Sequence, residues 1–255
     1  MAEEEKIREH AKYALQNLVD KTKGWKERLR DFAWEVFIII VAVNVTLWFH
    51  NWSDKRHDRE MEKKFLISIN QNLNNNTDKM NGMLHYLSDS MLHYYDTILV
   101  QVKTNTIDTQ YINSHSQSLL SSKTSNLDFG LFESFKSAGN LRLIENQDLL
   151  TDITNLYSAD LPFRKEEINQ VLAGVLNNFD KYAGVKMGFN KSLYFPTLST
   201  HLKDPEILYF IQKSGSEIYF LIQNMKGTVS EMDRVGEEID HELKDRFGYD
   251  ITNKN

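Results

Sequence analysis

Residues 32–52 run from Phe32 to Trp52 and read Phe-Ala-Trp-Glu-Val-Phe-Ile-Ile-Ile-Val-Ala-Val-Asn-Val-Thr-Leu-Trp-Phe-His-Asn-Trp. Between Val36 and Phe49 the polar residues are Asn44 and Thr46 alone. A helix rises about 1.5 Å per residue and needs roughly 17–25 residues to cross the hydrocarbon core of a bilayer. These 21 residues are therefore long enough to span, with Glu35 near one face. Trp34 marks one end and Trp48 with Trp52 the other, at the headgroup depth that amphipathic rings favour. The competing reading is a core helix of a soluble protein, but such a helix rarely carries apolar side chains on every side. The stretch reads as a single membrane span.

Upstream, residues 1–31 show apolar residues at Ile7, Ala11, Ala14, Leu15, Leu18, Trp25, Leu29 and Phe32, a three-four spacing that makes one helical stripe. Lys6, Arg8, Lys12, Lys21, Lys23, Lys26, Arg28 and Arg30 decorate the rest. The preferred reading is a cytoplasmic amphipathic helix lying on an anionic leaflet. A short coiled-coil seam feeding into the span is the other reading. Gly24 is the natural bend between surface and span. Residues 12–31 hold six Lys or Arg and residues 53–70 hold five, a slight bias toward a cytoplasmic N-terminus. The apolar run is followed by His-Asn-Trp-Ser-Asp-Lys-Arg and not by a small-x-small cleavage site, so it is expected to act as an uncleaved signal anchor. The expected location is a bacterial inner membrane with the C-terminal part in the periplasm.

Downstream, Leu66, Ile69, Leu73, Met80, Met83, Leu87, Met91, Tyr94 and Ile98 continue a heptad-like spacing, with Asn76 in the one vacant slot. The pattern predicts a stalk helix over 53–102, on the order of 75 Å long. The amide-rich run from Asn70 to Asn76 lies within it and reads as a solvated helix face. Residues 103–128 lose the pattern and read as a polar connection, with a short helix near Tyr111 to Leu120. The segment 129–247 reads as a helical bundle. Its helices are Phe129 to Ala138, ended by Gly139; Asn146 to Tyr157, with Asn146 as N-cap; Phe163 to about Tyr182, after a break at Pro162; and a last helix opened by Asp204 and Pro205. Ile207, Phe210, Ile211, Ile218, Leu221, Ile222, Met225, Val229, Met232, Val235, Ile239 and Leu243 mark the buried face of that last helix. Residues 248–255 form a tail. The expected fold is all-α: one N-terminal transmembrane helix continuing into a long stalk, then an antiparallel extracytoplasmic helical bundle.

Composition narrows the chemistry. The 255 residues carry a formal charge of −6, 3 prolines, 11 glycines and no cysteine. Few helix breakers favour long helices, and the missing cysteines exclude disulfides, thiolate catalysis and Cys-based metal sites. Basic residues are not concentrated on one folded segment, so nucleic acid is not an expected partner.

Three motifs carry a family resemblance. Glu35, the apolar run and Asn51-Trp52-Ser53-Asp54 form the first; Glu62-Lys63-Lys64-Phe65-Leu66 the second; and Ser134-Phe135-Lys136-Ser137-Ala138-Gly139-Asn140-Leu141-Arg142-Leu143-Ile144-Glu145-Asn146 the third. The chain thereby resembles an uncharacterised family of single-pass membrane proteins found mainly in Bacteroidetes-type bacteria. Where that family often has an Ile-Gly pair inside the span, this chain has bulkier Val and Ala, which removes a close glycine-mediated helix contact. The resemblance implies an envelope protein with no assigned activity.

Candidate sites are correspondingly few. Glu35 is an ionisable side chain at the edge of the span, one turn after Asp31; it either snorkels to the cytoplasmic interface or serves proton handling or pairing with a partner's basic residue. Asn44 and Thr46 are intramembrane contact candidates, and Trp34, Trp48 and Trp52 are interface anchors. Glu238 and His241 share one helix face, but a di-iron bundle needs a second Glu-x-x-His pair and two further Glu. His85 and His93, eight residues apart, read as solvated or core histidines. No phosphate loop, Gly-x-Ser-x-Gly or zincin motif occurs. No catalytic residue, metal or cofactor is expected. The leading expectation is a non-enzymatic structural or interaction protein, an accessory subunit or assembly module of an envelope complex. Its expected partners are membrane lipid and other membrane or envelope subunits, as a homo- or hetero-oligomer. The alternatives are a proton-motive-force-coupled energising subunit using Glu35 and a periplasmic sensor bundle acting through a partner.

Overall fold

The structure, a computed structural model, describes residues 25–120, 123–187 and 195–249 together with Arg8, Glu9 and Lys12. Most of the expected amphipathic helix, the Gly24 bend, and the tail from 250 onward lie outside the described residues. Every regular element among those described is helical. The chain divides into two units, 1–61 and 62–255.

In the first unit the defining feature is one long apolar helix near the N-terminus. It belongs to α1, Trp25–His85, and no residue of its most apolar 18-residue window is buried.

The second unit is built on the remainder of α1, a π turn at Tyr86–Leu92, and α2 at His93–Thr104. The inward series is continuous: Leu66, Ile69, Leu73, Asn76, Met80, Leu87, Met91, Tyr94 and Ile98 are all buried. The wider π turn keeps Leu87 and Met91, four residues apart, on the same inward side. The helix stops at Asn105, whose φ of 54° is a left-handed conformation that Asn tolerates better than most side chains.

The polar connection is more ordered than its composition suggests. Asp108 caps α3, Thr109–Ser114, by accepting from the Tyr111 N–H at 2.9 Å, and a 3-10 turn follows at Ser116–Leu119. Ile112, Leu119, Leu120 and Leu127 are buried there. Tyr94 donates its hydroxyl to the Ile112 carbonyl, and Tyr95 donates to the Leu119 carbonyl at 2.5 Å. Burial pushes both phenols above their ordinary pKa, so they stay protonated and able to donate.

After α4, Gly130–Ser137, Gly139 turns the chain at a φ of 71°, a conformation glycine adopts without a Cβ penalty. A 3-10 turn at Asn140–Leu143 leads to α5, Gln147–Asn155, capped by Asn146, whose side chain accepts from Leu149 N. The expected break at Pro162 is absent. A π turn at Leu156–Asp160 joins α5 directly to α6, Leu161–Phe179, with Pro162 in its first turn. A proline ring clashes with the carbonyl four residues earlier in a regular helix; the widened turn just before it removes that conflict. A further π turn at Asp180–Gly184 and the short α7, Val185–Met187, follow, then α8, Leu198–His201.

The last helix, α9, runs Pro205–Phe247. Asp204 caps it, Pro205 opens it and Gly248, at a φ of 59°, closes it. Its expected inward face is buried except for Val229, which is half-buried, and Ser214, Gly215 and Thr228 join it. This helix packs against α6, α2 and the π turn at Tyr86–Leu92. At Gly215 an added Cβ would lie 3.4 Å from the Tyr95 Cβ, so a small residue lets these helices approach.

The Asn-rich run is not simply a solvated face. Asn70 and Asn76 are buried. Asn70 donates to Gly236 O and Asp240 Oδ1 of α9 and accepts from Asn74. Asn76 donates to Asp128 O at 2.8 Å and accepts from Asp128 N at 2.9 Å. Tyr157 donates to Asn72 Oδ1 at 2.9 Å. These amides clamp three other segments to α1; Asn74 and Asn75 alone of the run's asparagines are exposed. The apolar period placed the helix correctly, but composition could not distinguish amides that face water from amides that face backbone.

Candidate interaction sites

Two places hold polar groups of interest. The first is the apolar part of α1. Asn44 donates one N–H to the Ile40 carbonyl at 2.7 Å, and Thr46 donates its hydroxyl to the Ala42 carbonyl at 2.9 Å. Both are bonds back to the preceding turn, and both side chains are exposed on the helix surface. Thr46 thereby satisfies its single donor, whereas Asn44 still has a second N–H and a carbonyl to place. Glu35 is half-exposed, yet its Oε2 is shielded and has no hydrogen-bond partner among the described residues. Trp34 stacks on Phe37 with ring centroids 5.4 Å apart, and Trp52 lies 5.7 Å from Phe49. Trp34, Trp48 and Trp52 are all exposed.

The second is a charged node in the helical unit, and sequence reasoning missed it. The Glu62 side chain is 1% exposed and faces Arg246, which is 24% exposed. Arg246 donates to Glu62 Oε1 at 2.8 Å, to Glu62 Oε2 at 3.1 Å, to Glu242 Oε1 at 2.6 Å and to Glu145 Oε2 at 2.6 Å. Glu62 also accepts the backbone N–H of Glu145 at 2.9 Å, and Asn146 donates to Glu242 Oε2 at 2.8 Å. The hydrogen bonds to Glu62 hold the Arg246 guanidinium above its already high pKa. One turn on, Phe65 stacks on Phe135 with centroids 3.7 Å apart. The second and third resemblance motifs, Glu62–Leu66 and Ser134–Asn146, are thus neighbours in space, and α9 binds them together through Glu242 and Arg246. Each motif was legible on its own; the arginine that joins them stands among other charges of the last helix and carries no local signal.

The remaining candidates do not converge. Glu238 is bonded by Arg234, which also holds Asp152 at 3.0 Å and Glu231 at 2.5 Å. His85 pairs with Asp89 at 2.7 Å on the surface, and His93 is exposed. Among the described residues no group of three or more His, Asp or Glu is gathered as a metal site would require. Among the described residues, one depression of about 270 Å³ lies beside Lys79, Met83 and Lys123, and another of about 360 Å³ beside Phe163, Asn224 and Gly227. The second lies where Arg164 donates to Thr228 Oγ1 at 2.9 Å and Asn224 to Glu167 Oε1 at 2.8 Å, a seam of mutually bonded side chains.

No protein-family model, curated protein or solved structure matches the chain.

Proposed function

We propose that the chain is a membrane-anchored structural or interaction protein, an accessory subunit or assembly module of a larger envelope complex in a bacterial inner membrane. In this reading residues 32–52 span the bilayer, residues 1–31 stay in the cytoplasm, and 62–255 form an antiparallel helical bundle on the periplasmic side. The observation that carries it is the long apolar stretch of α1 with no buried residue in its most apolar window, a surface that water disfavours and lipid accepts. The Glu62–Arg246 node and the amide clamps supply a rigid body for such an anchor to hold, and they consume charged groups in structure, not in chemistry.

The test is purification of the native complex in mild detergent with identification of co-purifying chains, alongside reporter fusions after residue 249. Stable co-purifying envelope subunits and an active periplasmic alkaline phosphatase fusion are the expected results. A chain that purifies free of other proteins and of membrane overturns the reading. A second reading, the proton-coupled energising subunit, draws on one observation: the shielded, unpartnered Oε2 of Glu35. Glu35→Gln separates the two, since it abolishes function with assembly intact only if that carboxylate handles protons. A periplasmic sensor acting through a partner requires the same co-purification to yield a signalling subunit.

A further inference from the structure

We infer that two copies of this chain pair in parallel within the membrane along a seam centred on Asn44. The inference rests on the anchor reading above and names its partner: a second copy.

The seam is written in the spacing. Phe37, Ile40, Asn44, Leu47 and Asn51 follow one another by 3, 4, 3 and 4 residues. At about 100° per residue they fall within an arc of about 80°. That is the narrow stripe by which two helices cross at a small left-handed angle. All five side chains are exposed, with Phe37 at 52%, Ile40 at 53% and Leu47 at 55%. Glu35, nine residues before Asn44, points about 180° away. Pairing on this stripe therefore leaves the carboxylate outside the contact. Thr46 lies on Glu35's flank too, already bonded to the Ala42 carbonyl.

Hydrogen bonding then selects the occupant. The amide of Asn44 offers two N–H donors and one carbonyl. One N–H goes to Ile40 O; the other donor and the carbonyl have no partner among the described residues. Acyl chains offer none, and leaving such groups unpaired in hydrocarbon costs free energy. A second copy inserted with the same topology presents the same leftover N–H and carbonyl at the same depth, so two Asn44 amides can exchange donor and acceptor across a twofold axis. A different protein meets that requirement only if it happens to carry a matching group at that level. An antiparallel copy is excluded by shared topology. An asparagine in such a seam also fixes register and favours two strands.

The chain has no cysteine, so single substitutions report cleanly. In native membranes of cells expressing full-length protein, Ile40→Cys and Leu47→Cys are expected to crosslink on oxidation to a product of twice the chain mass. Ala42→Cys and Thr46→Cys, on the opposite flank, are expected to stay monomeric. Adding Asn44→Leu to Leu47→Cys should weaken dimerisation roughly 3- to 30-fold, the range set by interhelical hydrogen bonds. Asn44→Gln should restore most of it, because the amide is retained. Carbonate extraction of the same membranes separates the two readings. Embedded chain that crosslinks equally on all flanks, fails to crosslink, or ignores Asn44→Leu overturns the pairing and leaves the anchor standing. A product of any other mass assigns the seam to a different protein and overturns the pairing too. Chain released by carbonate overturns both.

Discussion

Replacing Arg246 by alanine removes the guanidinium that Glu62, Glu242 and Glu145 share. Glu62 is the carboxylate at risk, since its side chain is only 1% exposed. In the variant it keeps the backbone N–H of Glu145 at 2.9 Å but faces no opposite charge from Arg246. Breaking a buried ion pair by removing one partner costs about 3–5 kcal/mol. Arg246 is itself 24% exposed, so water can enter the vacated space, and the lower end applies: about 3 kcal/mol. For a unit of this size each kcal/mol lowers Tm by about 2–4 °C, giving a fall of roughly 6–12 °C. Thermal and urea denaturation of the full chain in detergent, followed by circular dichroism, measures it. Glu62→Gln combined with Arg246→Ala is the control. The amide needs no counter-charge and its carbonyl still accepts from Glu145, so the double variant should recover most of the loss. A fall below about 1 kcal/mol for Arg246→Ala, or a double variant no better than the single, would refute the reasoning.

Three further outcomes follow from particular contacts. Asn76→Leu fits the apolar series but strands the N–H and carbonyl of Asp128, and should cost about 2 kcal/mol, with faster amide exchange at Asp128 than in the parent. Gly139→Ala meets no atom within 4 Å and so loses only the left-handed conformation, about 1–2 kcal/mol, read as a shift in urea midpoint. Asp204 is held below the usual carboxylate range first by its hydrogen bond from Lys186 and then by the Glu206 N–H. A depressed pKa contributes stability above the unfolded value and loses it as pH falls through the folded one. Asp204→Ala should therefore lower Tm at pH 7, with an effect that shrinks as pH falls below the ordinary carboxylate range; an effect that does not change with pH would show that the cap acts by shape alone.

The parts of the fold that rest on periodicity were legible. The buried series of α1 and α2, the inward face of α9, and the caps at Asn146 and Asp204 all follow from local spacing and from side chains that accept neighbouring N–H groups. What escaped was nonlocal. Pro162 looks like a break because its own residues do not reveal the π turn that accommodates it. Arg246 and Glu62 are 184 residues apart, and nothing near either announces the other. The connection over 103–128 reads as polar because its buried Ile112, Leu119, Leu120 and Leu127 keep no regular spacing, and because Tyr94 and Tyr95 from α2 hold it by its backbone carbonyls.

The asparagines show where this limit bears on function. Asn76 sits in a seam slot like Asn44, on the same helix, yet the two end in opposite conditions. Asn76 donates to Asn72 Oδ1 and Asp128 O and accepts from Asp128 N, so its donor and acceptor groups both find partners inside the chain. Asn70 is closed in the same way by Gly236, Asp240 and Asn74. Asn44 has the Ile40 carbonyl and nothing more among the described residues. Sequence cannot separate these cases, because an amide in a heptad slot looks the same whether its partner is a loop or a second chain. The hydrogen-bond inventory does separate them. Where the fold supplies every partner, the amide is structural and its loss should appear as lost stability. Where it does not, as for Asn44, the proposed pairing within the membrane predicts that loss of the amide appears in association with stability unchanged. Asn76→Leu and Asn44→Leu, assayed side by side for melting and for dimer crosslinking, should therefore fail in opposite assays.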